Sequence, residues 1–194
     1  MISRIRGTLL ARELERAELL TPGGVGYELA IPLSAFERLP RVGEEVELFT
    51  FQVVREDALL LFGFHSEAER TVFSRLLTAT GVGPRLALAL LSALPADRLV
   101  RAIRERNVSA LTAVSGVGKK TAERLVLELT GKLDDLRVEP SAGPQGPGYD
   151  EAVRALTVLG FSAADAEQAV HAAAREDGVS QAQELIRAAL ARLR

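Results

Sequence analysis

Two glycine-rich segments have the residue types and spacing of phosphate-binding turns. The first turn is Gly81-Val82-Gly83 and the second turn is Gly116-Val117-Gly118, and each lies between stretches with helical spacing of apolar residues. Glycine permits positive φ and lets another backbone approach closely, because it has no Cβ atom. The residues after each turn begin a helix, whose free amides and dipole attract anions. The pattern therefore predicts contact with phosphate.

Both turns are followed by cations at the start of the next helix, where the helix dipole slightly disfavours them. A bound phosphate would reverse that penalty. A single turn of this kind is most simply a glycine cap that closes a helical hairpin. Here an offset of 35 residues aligns both turns together with their flanking helices. We interpret them as an internal repeat that binds phosphate.

The charge distribution places a basic segment between two acidic ones. Residues 1–63 hold 7 basic and 10 acidic side chains, residues 64–133 hold 11 and 6, and residues 134–194 hold 6 and 10, which gives the net charge of −2. A polyanion should contact the middle segment first, and contacts to a nucleic-acid backbone should depend weakly on sequence and strongly on salt. The residues expected at that backbone are Gly81, Val82, Gly83, Pro84, Arg85, Gly116, Val117, Gly118, Lys119, Lys120, Thr121 and Arg124, with Arg55 from an earlier turn.

Nucleotide hydrolysis is not expected, because two glycine-rich nucleotide motifs fail here. A P-loop needs a glycine where this chain has Ala113 and a hydroxyl residue where it has Lys120. A dinucleotide fingerprint needs a third glycine where Leu86 stands, and no strand precedes either turn.

The composition excludes several other chemistries. The chain has no cysteine, which excludes disulfides, thiolate zinc sites, iron–sulfur clusters and a cysteine nucleophile. Its two histidines, His65 and His171, have no visible catalytic partners, and we assign them structural roles. We expect no metal and no cofactor. The chain is 47% hydrophobic and 26% charged, without a signal core or an apolar run that could span a bilayer, and we expect a soluble cytoplasmic protein.

Two adjacent acids, Glu56 and Asp57, lie in a tight connection between two apolar β-type stretches. Taken alone, they are most simply the polar residues of a hairpin turn. Hydrolysis by these two carboxylates is disfavoured, because a two-metal site needs acids that converge from several elements.

The elements that must position these residues fall into an α+β arrangement. Alternating apolar residues predict strands over 2–9 and 27–31. A β-rich stretch predicts a strand over 45–54, an apolar run predicts another over 58–62, and a short helix is predicted over 34–39. Roughly five short strands in the first 60 or so residues indicate a small closed or nearly closed barrel. Helical spacing follows, with predicted helices over 67–78, from 84, and over 97–106, 109–114 and 119–129.

The C-terminal part is predicted to be a separate small unit. Residues 138–148 are rich in proline and glycine, which is typical of a linker. Three short helices follow, with Ser162 and Ser180 as caps of the second and third. Leu156, Leu159 and Phe161 either fill the core of this unit or form a patch that faces a partner. We divide the chain into a barrel (1–64), a helical DNA-binding domain (65–133), a flexible linker (134–148) and a three-helix domain (149–194).

Taken in this order, the motifs resemble the RuvA family of bacterial proteins that bind Holliday junctions. The paired turns resemble a tandem helix-hairpin-helix module, and the likeness extends over nearly the whole chain. It is densest in residues 24–28, 54–58, 61–64, 81–87 and 116–124.

The resemblance implies an oligonucleotide-binding (OB) barrel, tandem hairpins and a UBA-like three-helix tail. It implies a non-catalytic homotetramer, alone or paired with a second tetramer, that holds a four-way junction flat. Glu56 and Asp57 match the family's acidic pin at the junction centre. The tail, through Leu156, Leu159 and Phe161, would bind RuvB, the ATPase that drives branch migration, and the RuvC resolvase would be a further partner.

Two other interpretations remain open at this point. DNA glycosylases of the helix-hairpin-helix type carry a similar hairpin, in which Lys120 would match their lysine. They need an aspartate beyond the hairpin, but Asp134 and Asp135 fall short of the position that Val138 occupies. The chain also lacks a second lobe to receive a flipped base. A scaffold that only uses its tail for protein contacts would show no salt-dependent DNA binding.

Overall fold

In the computed structural model, which describes residues 1–136, 138, 147–176 and 181–193, five strands close into a barrel at the N-terminal end. The order around the barrel is β1-β2-β3-β5-β4, and every pairing is antiparallel except the parallel contact between β3 and β5. The strands are β1 (Arg4–Glu13), β2 (Arg16–Leu20), β3 (Gly26–Ala30), β4 (Glu45–Val54) and β5 (Leu59–Phe64), with helix α1 (Leu33–Arg38) between β3 and β4.

Alternation of buried and exposed residues builds the barrel core. Ile5 and Leu9 of β1 point inward with Leu19, Leu29 and Leu48 of the other strands. The register of β1 against β2 shifts between Leu9 and Ala11. This irregularity breaks the period-two pattern, which explains why the prediction ended β1 at residue 9. The predicted barrel is confirmed.

The middle of the chain forms five helices that share one apolar core with residues of two barrel strands. They are α2 (Glu67–Leu76), α3 (Pro84–Ala93), α4 (Ala96–Arg104), α5 (Val108–Thr112) and α6 (Lys119–Leu129). Phe73 of α2 lies within 5.5 Å, centroid to centroid, of Phe51, Phe62 and Phe64 on β4 and β5. Because these aromatic rings pack together, α2 is held directly against two strands of the barrel.

The first part of the predicted flexible linker is anchored to these helices. Leu136 and Val138 pack against the helical core, and the Arg104 guanidinium donates hydrogen bonds to the carbonyl oxygens of Leu133, Asp134 and Leu136. Arg75 pairs with Asp135 at 3.1 Å. Residues 134–136 of the predicted linker are therefore bound to the helices, because arginines elsewhere in the chain contact this segment in a way that proline and glycine content cannot indicate.

Pro140–Arg194 form a compact unit separate from Met1–Glu139. Its helices are α7 (Pro147–Val158), α8 (Ala163–Glu176) and α9 (Ala182–Arg192), around a core that includes Leu156, Val170 and Leu185. Ser162 accepts a hydrogen bond from the Asp165 amide, as a helix cap should, while the predicted cap Ser180 lies outside the described residues. Among the described residues, no helix has the length and apolar composition needed to cross a membrane.

Candidate nucleic-acid interface

The first and second turns have the same backbone geometry. Gly81 has φ +83° and Gly116 has φ +86°, a left-handed conformation that favours glycine. In each turn the valine points inward, with Val82 only 7% and Val117 only 5% exposed. The valine amides donate to the carbonyl oxygens of Ala79 and Val114 at 3.1 and 3.0 Å, so each turn is closed by a residue that follows the preceding helix.

The second glycine of each turn is not required by the fold. Gly83 and Gly118 are N-caps with φ −89° and −78°, a conformation that other residues adopt freely. A Cβ atom placed on either one would have no other atom within 4 Å. Serine at an N-cap would satisfy a helix amide that glycine leaves free. What the missing Cβ does provide is close approach for a group from another molecule.

The cations next to the turns are exposed, and their charges are available to a ligand. Arg85, Lys119 and Lys120 are exposed, and within residues 1–136 none of them forms an ion pair. The barrel arginines differ, because Arg4 and Arg6 pair with Glu47 and Glu45 at 3.1 and 2.9 Å. Each turn therefore has positive charge beside it that is free to meet a polyanion.

The first turn and the acidic hairpin line the same cleft. The cleft has a volume of about 790 Å³ and lies between the β4–β5 hairpin and α3. On the barrel side it is lined by Arg55, Asp57, Ala58 and Leu60, and on the α3 side by Gly83, Pro84, Arg85 and Leu88. The structure therefore places Arg55 across this cleft from the first turn, although they are 26 or more positions apart in the sequence.

The two turns also contact each other's helices. A Cβ atom on Gly116 would lie 3.6 Å from the Leu86 side chain on α3, and one on Gly81 would lie 3.6 Å from the Arg124 guanidinium on α6. Thr121 is half-buried at the start of α6. The tandem hairpins form one unit, which leaves Arg124 directed towards the first turn.

One residue at these turns was missed by sequence reasoning. The Glu128 carboxylate accepts a hydrogen bond from the Thr80 amide at 2.8 Å, and this bond lowers the pKa of Glu128. The two residues are 48 positions apart, and no local motif connects them. Only an analysis of the repeat, which pairs Glu128 with an alanine, could have marked it as unusual.

The β4–β5 hairpin ends in a tight turn with an acidic tip. The Arg55 amide donates to the Ala58 carbonyl at 2.8 Å, and Glu56 and Asp57 between them are exposed. In the described part of the chain, no group of three or more histidine, aspartate or glutamate residues is arranged to hold a metal ion. The tip is a patch of negative charge beside the cleft.

His65 has a structural environment. It is half-buried, its amide donates to the Glu69 carboxylate at 2.9 Å, and burial lowers the pKa of its side chain. His171 is half-buried on α8.

The tail residues divide between core and surface. Leu156 is fully buried in the core of the second unit, and Phe161 is half-buried against that core. Leu159 is 61% exposed and lies beside Val158, Arg154 and Glu151 along a shallow groove. Leu156 therefore has no accessible surface for a partner, because it faces α8 and α9 within its own unit.

Comparisons with known proteins identify the family. Family profiles match residues 1–63 (RuvA N terminal domain), 73–130 (SAM-like helix-hairpin-helix tandem) and 147–194 (RuvA, C-terminal domain). A relative from Gemmatimonas aurantiaca is 48% identical over 194 residues, which covers 100% of this chain and 98% of the relative. The chain belongs to the RuvA family. Membership confirms the resemblance that the motifs indicated.

Other RuvA relatives give the same result. One from Haemophilus influenzae (strain PittGG) is 44% identical over 203 residues, covering 98% of both chains, and one from Methylibium petroleiphilum is 46% identical over 193 residues, covering 99% and 100%. All three relatives are named "Holliday junction branch migration complex subunit RuvA". Such full-length agreement disfavours the glycosylase interpretation.

Proposed function

We propose that this chain binds four-way (Holliday) junctions in DNA through their sugar–phosphate backbones and acts as the DNA-binding subunit of a branch migration complex in recombination and repair. The observation that carries the proposal is the open N-cap glycine, Gly83 or Gly118, at the end of each turn. Each offers free helix amides and lies beside exposed cations. The full-length RuvA relatives support the same role.

The two turns together would hold two strands of one duplex arm. In each turn the buried valine fixes the loop, the second glycine admits the backbone, and the first helical residues supply amides and cations. The residues proposed at the backbone are Gly81, Val82, Gly83, Pro84, Arg85, Gly116, Val117, Gly118, Lys119, Lys120, Thr121 and Arg124, with Arg55 from across the cleft. None of these contacts reads a base, so binding is independent of sequence.

The acidic tip would act where the strands exchange. In a tetramer, four copies of Glu56 and Asp57 would gather eight carboxylates at the junction centre. Repulsion within a Debye length of roughly 8 Å would keep phosphates away from that point. Strands pushed outward separate their bases more readily as they change partners. Arg55, exposed next to the tip, would hold a phosphate at its edge.

Family membership supports a proposal for the assembly and its partners. We propose a homotetramer, alone or paired with a second tetramer, that carries no catalytic site and uses no cofactor. ATP hydrolysis would belong to RuvB, which the tail would bind through the exposed Leu159 and the half-buried Phe161. RuvC would act on the same junction. The barrel (1–64), the hairpin domain (65–133) and the tail (149–194) then have separate tasks.

A gel-shift series tests the junction claim. The protein is titrated against a four-way junction and against linear duplex of equal length at several salt concentrations. We expect a clear preference for the junction and a steep loss of affinity as salt rises. Equal affinity for the two DNAs would refute junction selectivity, and binding that ignores salt would refute the backbone contacts.

A further inference from the structure

The first turn is tied to α6 by a pair of side chains on that helix. Glu128 accepts the Thr80 amide at 2.8 Å, and the Arg124 guanidinium lies 3.5 Å from the Thr80 carbonyl oxygen. The low pKa of Glu128 has this amide as its largest cause. Side chains of α6 therefore bind both the backbone amide and the backbone carbonyl of Thr80, the residue that precedes Gly81.

This link is not part of the repeated hairpin. The offset of 35 residues that aligns the two turns pairs Thr80 with Ser115, Arg124 with Ala89 and Glu128 with Ala93. Alanine cannot hold the second turn in the same way. Each turn is already closed by its own valine amide, so the link is not needed to form either turn. What it adds is a fixed position of the first turn relative to α6.

The sign of the charge makes Glu128 unusual at this place. A carboxylate next to a phosphate-binding turn repels its ligand, so a glutamate that acted only through its charge would weaken DNA binding. Thr80 adjoins Gly81, and α6 begins directly after Gly118. A contact between Thr80 and α6 therefore sets the spacing between the two places where phosphates would bind.

We propose that Glu128 is a positioning residue that fixes the spacing of the two turns, so that both can contact phosphates of one duplex arm at the same time. Arg124 supports the same link through its contact with the Thr80 carbonyl oxygen. The inference rests on the proposed function, because it specifies how the two turns act together. It assigns to Glu128 a favourable effect on DNA binding, opposite to the effect of its charge.

The number of phosphates contacted at once is measurable as the salt dependence of binding. The slope of log K against log salt changes by about 0.9 for each phosphate contact. Incorrect spacing of the turns lowers the slope although no cation has been removed. A glutamate with only a general role in stability does not change the slope of the protein that remains folded.

The test compares four variants of the full chain on the four-way junction, with urea unfolding to measure the folded fraction. Glu128→Ala removes the link, and Glu128→Asp keeps the charge but shortens its reach. We expect both to lower affinity by about tenfold, the scale of a hydrogen bond to a charged group. We expect the salt slope to fall by about one. Glu128→Gln retains an acceptor for the Thr80 amide and should keep the wild-type slope.

Glu123→Ala is the matched control, because Glu123 is an exposed acid on the same helix. It should raise affinity slightly and leave the slope unchanged. The inference is overturned if Glu128→Ala behaves like Glu123→Ala, or if Glu128→Asp keeps the wild-type affinity and slope. If Glu128→Ala does not fold, the Asp variant alone decides. Failure of the wild-type protein to prefer the junction over duplex would refute the proposed function instead.

Discussion

At the level of single residues, the two glycines of each turn are present for different physical reasons. Gly81 and Gly116 adopt positive φ, which the backbone of the turn requires. Gly83 and Gly118 have ordinary φ and open space around them, so nothing inside the protein requires a glycine there. A glycine that the fold does not need is explained by contact with another molecule, and we propose that this molecule is DNA, through its backbone.

The exposed lysines at the start of α6 should dominate the electrostatics of the second turn. Lys119→Ala with Lys120→Ala is expected to weaken junction binding and to lower the salt slope by up to about two, since each lysine would neutralise about one phosphate. Fluorescence titration at several salt concentrations measures the slope. Arg41→Ala, which removes an exposed barrel cation, should leave it unchanged. Equal effects of both changes would indicate a response to net charge only.

The acidic tip should affect movement of the junction more than its binding. Glu56→Gln with Asp57→Asn removes the repulsion of phosphates, so junction affinity should stay the same or rise. The rate at which the branch point moves in the presence of RuvB should change. A strand-exchange assay on a mobile junction measures that rate, beside a gel shift for affinity. Weaker binding by the neutral variant would contradict the assigned role.

At the level of elements, a buried valine and an N-cap glycine connect each turn to its helix. The buried valine joins the turn to the core, and the glycine starts α3 or α6 with free amides. The fold thus separates the part of the turn that determines stability from the part that is available to a ligand. Substitutions at the two glycines of one turn should therefore have different consequences.

Serine in place of each glycine of the second turn tests this separation. Gly116→Ser is strained by positive φ and should lower the free energy of unfolding by about 1 kcal/mol. Gly118→Ser has space and is a favoured N-cap, so its stability should equal or exceed that of the wild type. Its junction affinity should nevertheless fall, because the side chain occupies the approach of the backbone. Urea unfolding and gel shifts measure the two quantities, and unchanged affinity of Gly118→Ser would argue against contact at this turn.

At the level of the whole molecule, the two units of the chain have separate apolar cores. The turns and the acidic tip belong to the unit Met1–Glu139, and the exposed Leu159 belongs to the unit Pro140–Arg194. The apolar clusters of the two units share no residue among those described. A change on the surface of the tail should therefore leave DNA binding intact.

Leu159→Asp should impair the interaction with RuvB and leave DNA binding unchanged. A charge on this exposed apolar position should abolish stimulation of the RuvB ATPase, while junction affinity remains within about twofold of the wild type. An ATPase assay with RuvB and junction DNA, run beside a gel shift, measures both. Val42→Asp is the control, since Val42 is similarly exposed at 59% but lies in the barrel unit. Normal stimulation by Leu159→Asp would remove this residue from the proposed partner surface.

Local patterns of the sequence by themselves determined the positions of several strands and helices and of the two turns. The β-rich composition of residues 45–54 predicted β4 with its observed bounds, and helical spacing after Gly118 did the same for α6. The repeated turns, with their glycines, inward valines and following cations, could be found because turn chemistry depends on neighbouring residues. Strand β1 was predicted too short because an irregularity interrupts its alternation.

Other features depend on residues that are distant in the sequence, and only the tertiary structure decided them. Packing buried Leu156 and left Leu159 exposed, although both are apolar leucines of one short segment. The fold placed Arg55 across a cleft from the first turn and tied Thr80 to Glu128. Arg104 anchored a backbone that composition assigned to a linker. The physical reason is the same in each case: local spacing sets the shape of a turn, whereas burial and side-chain contacts are set by which elements pack together.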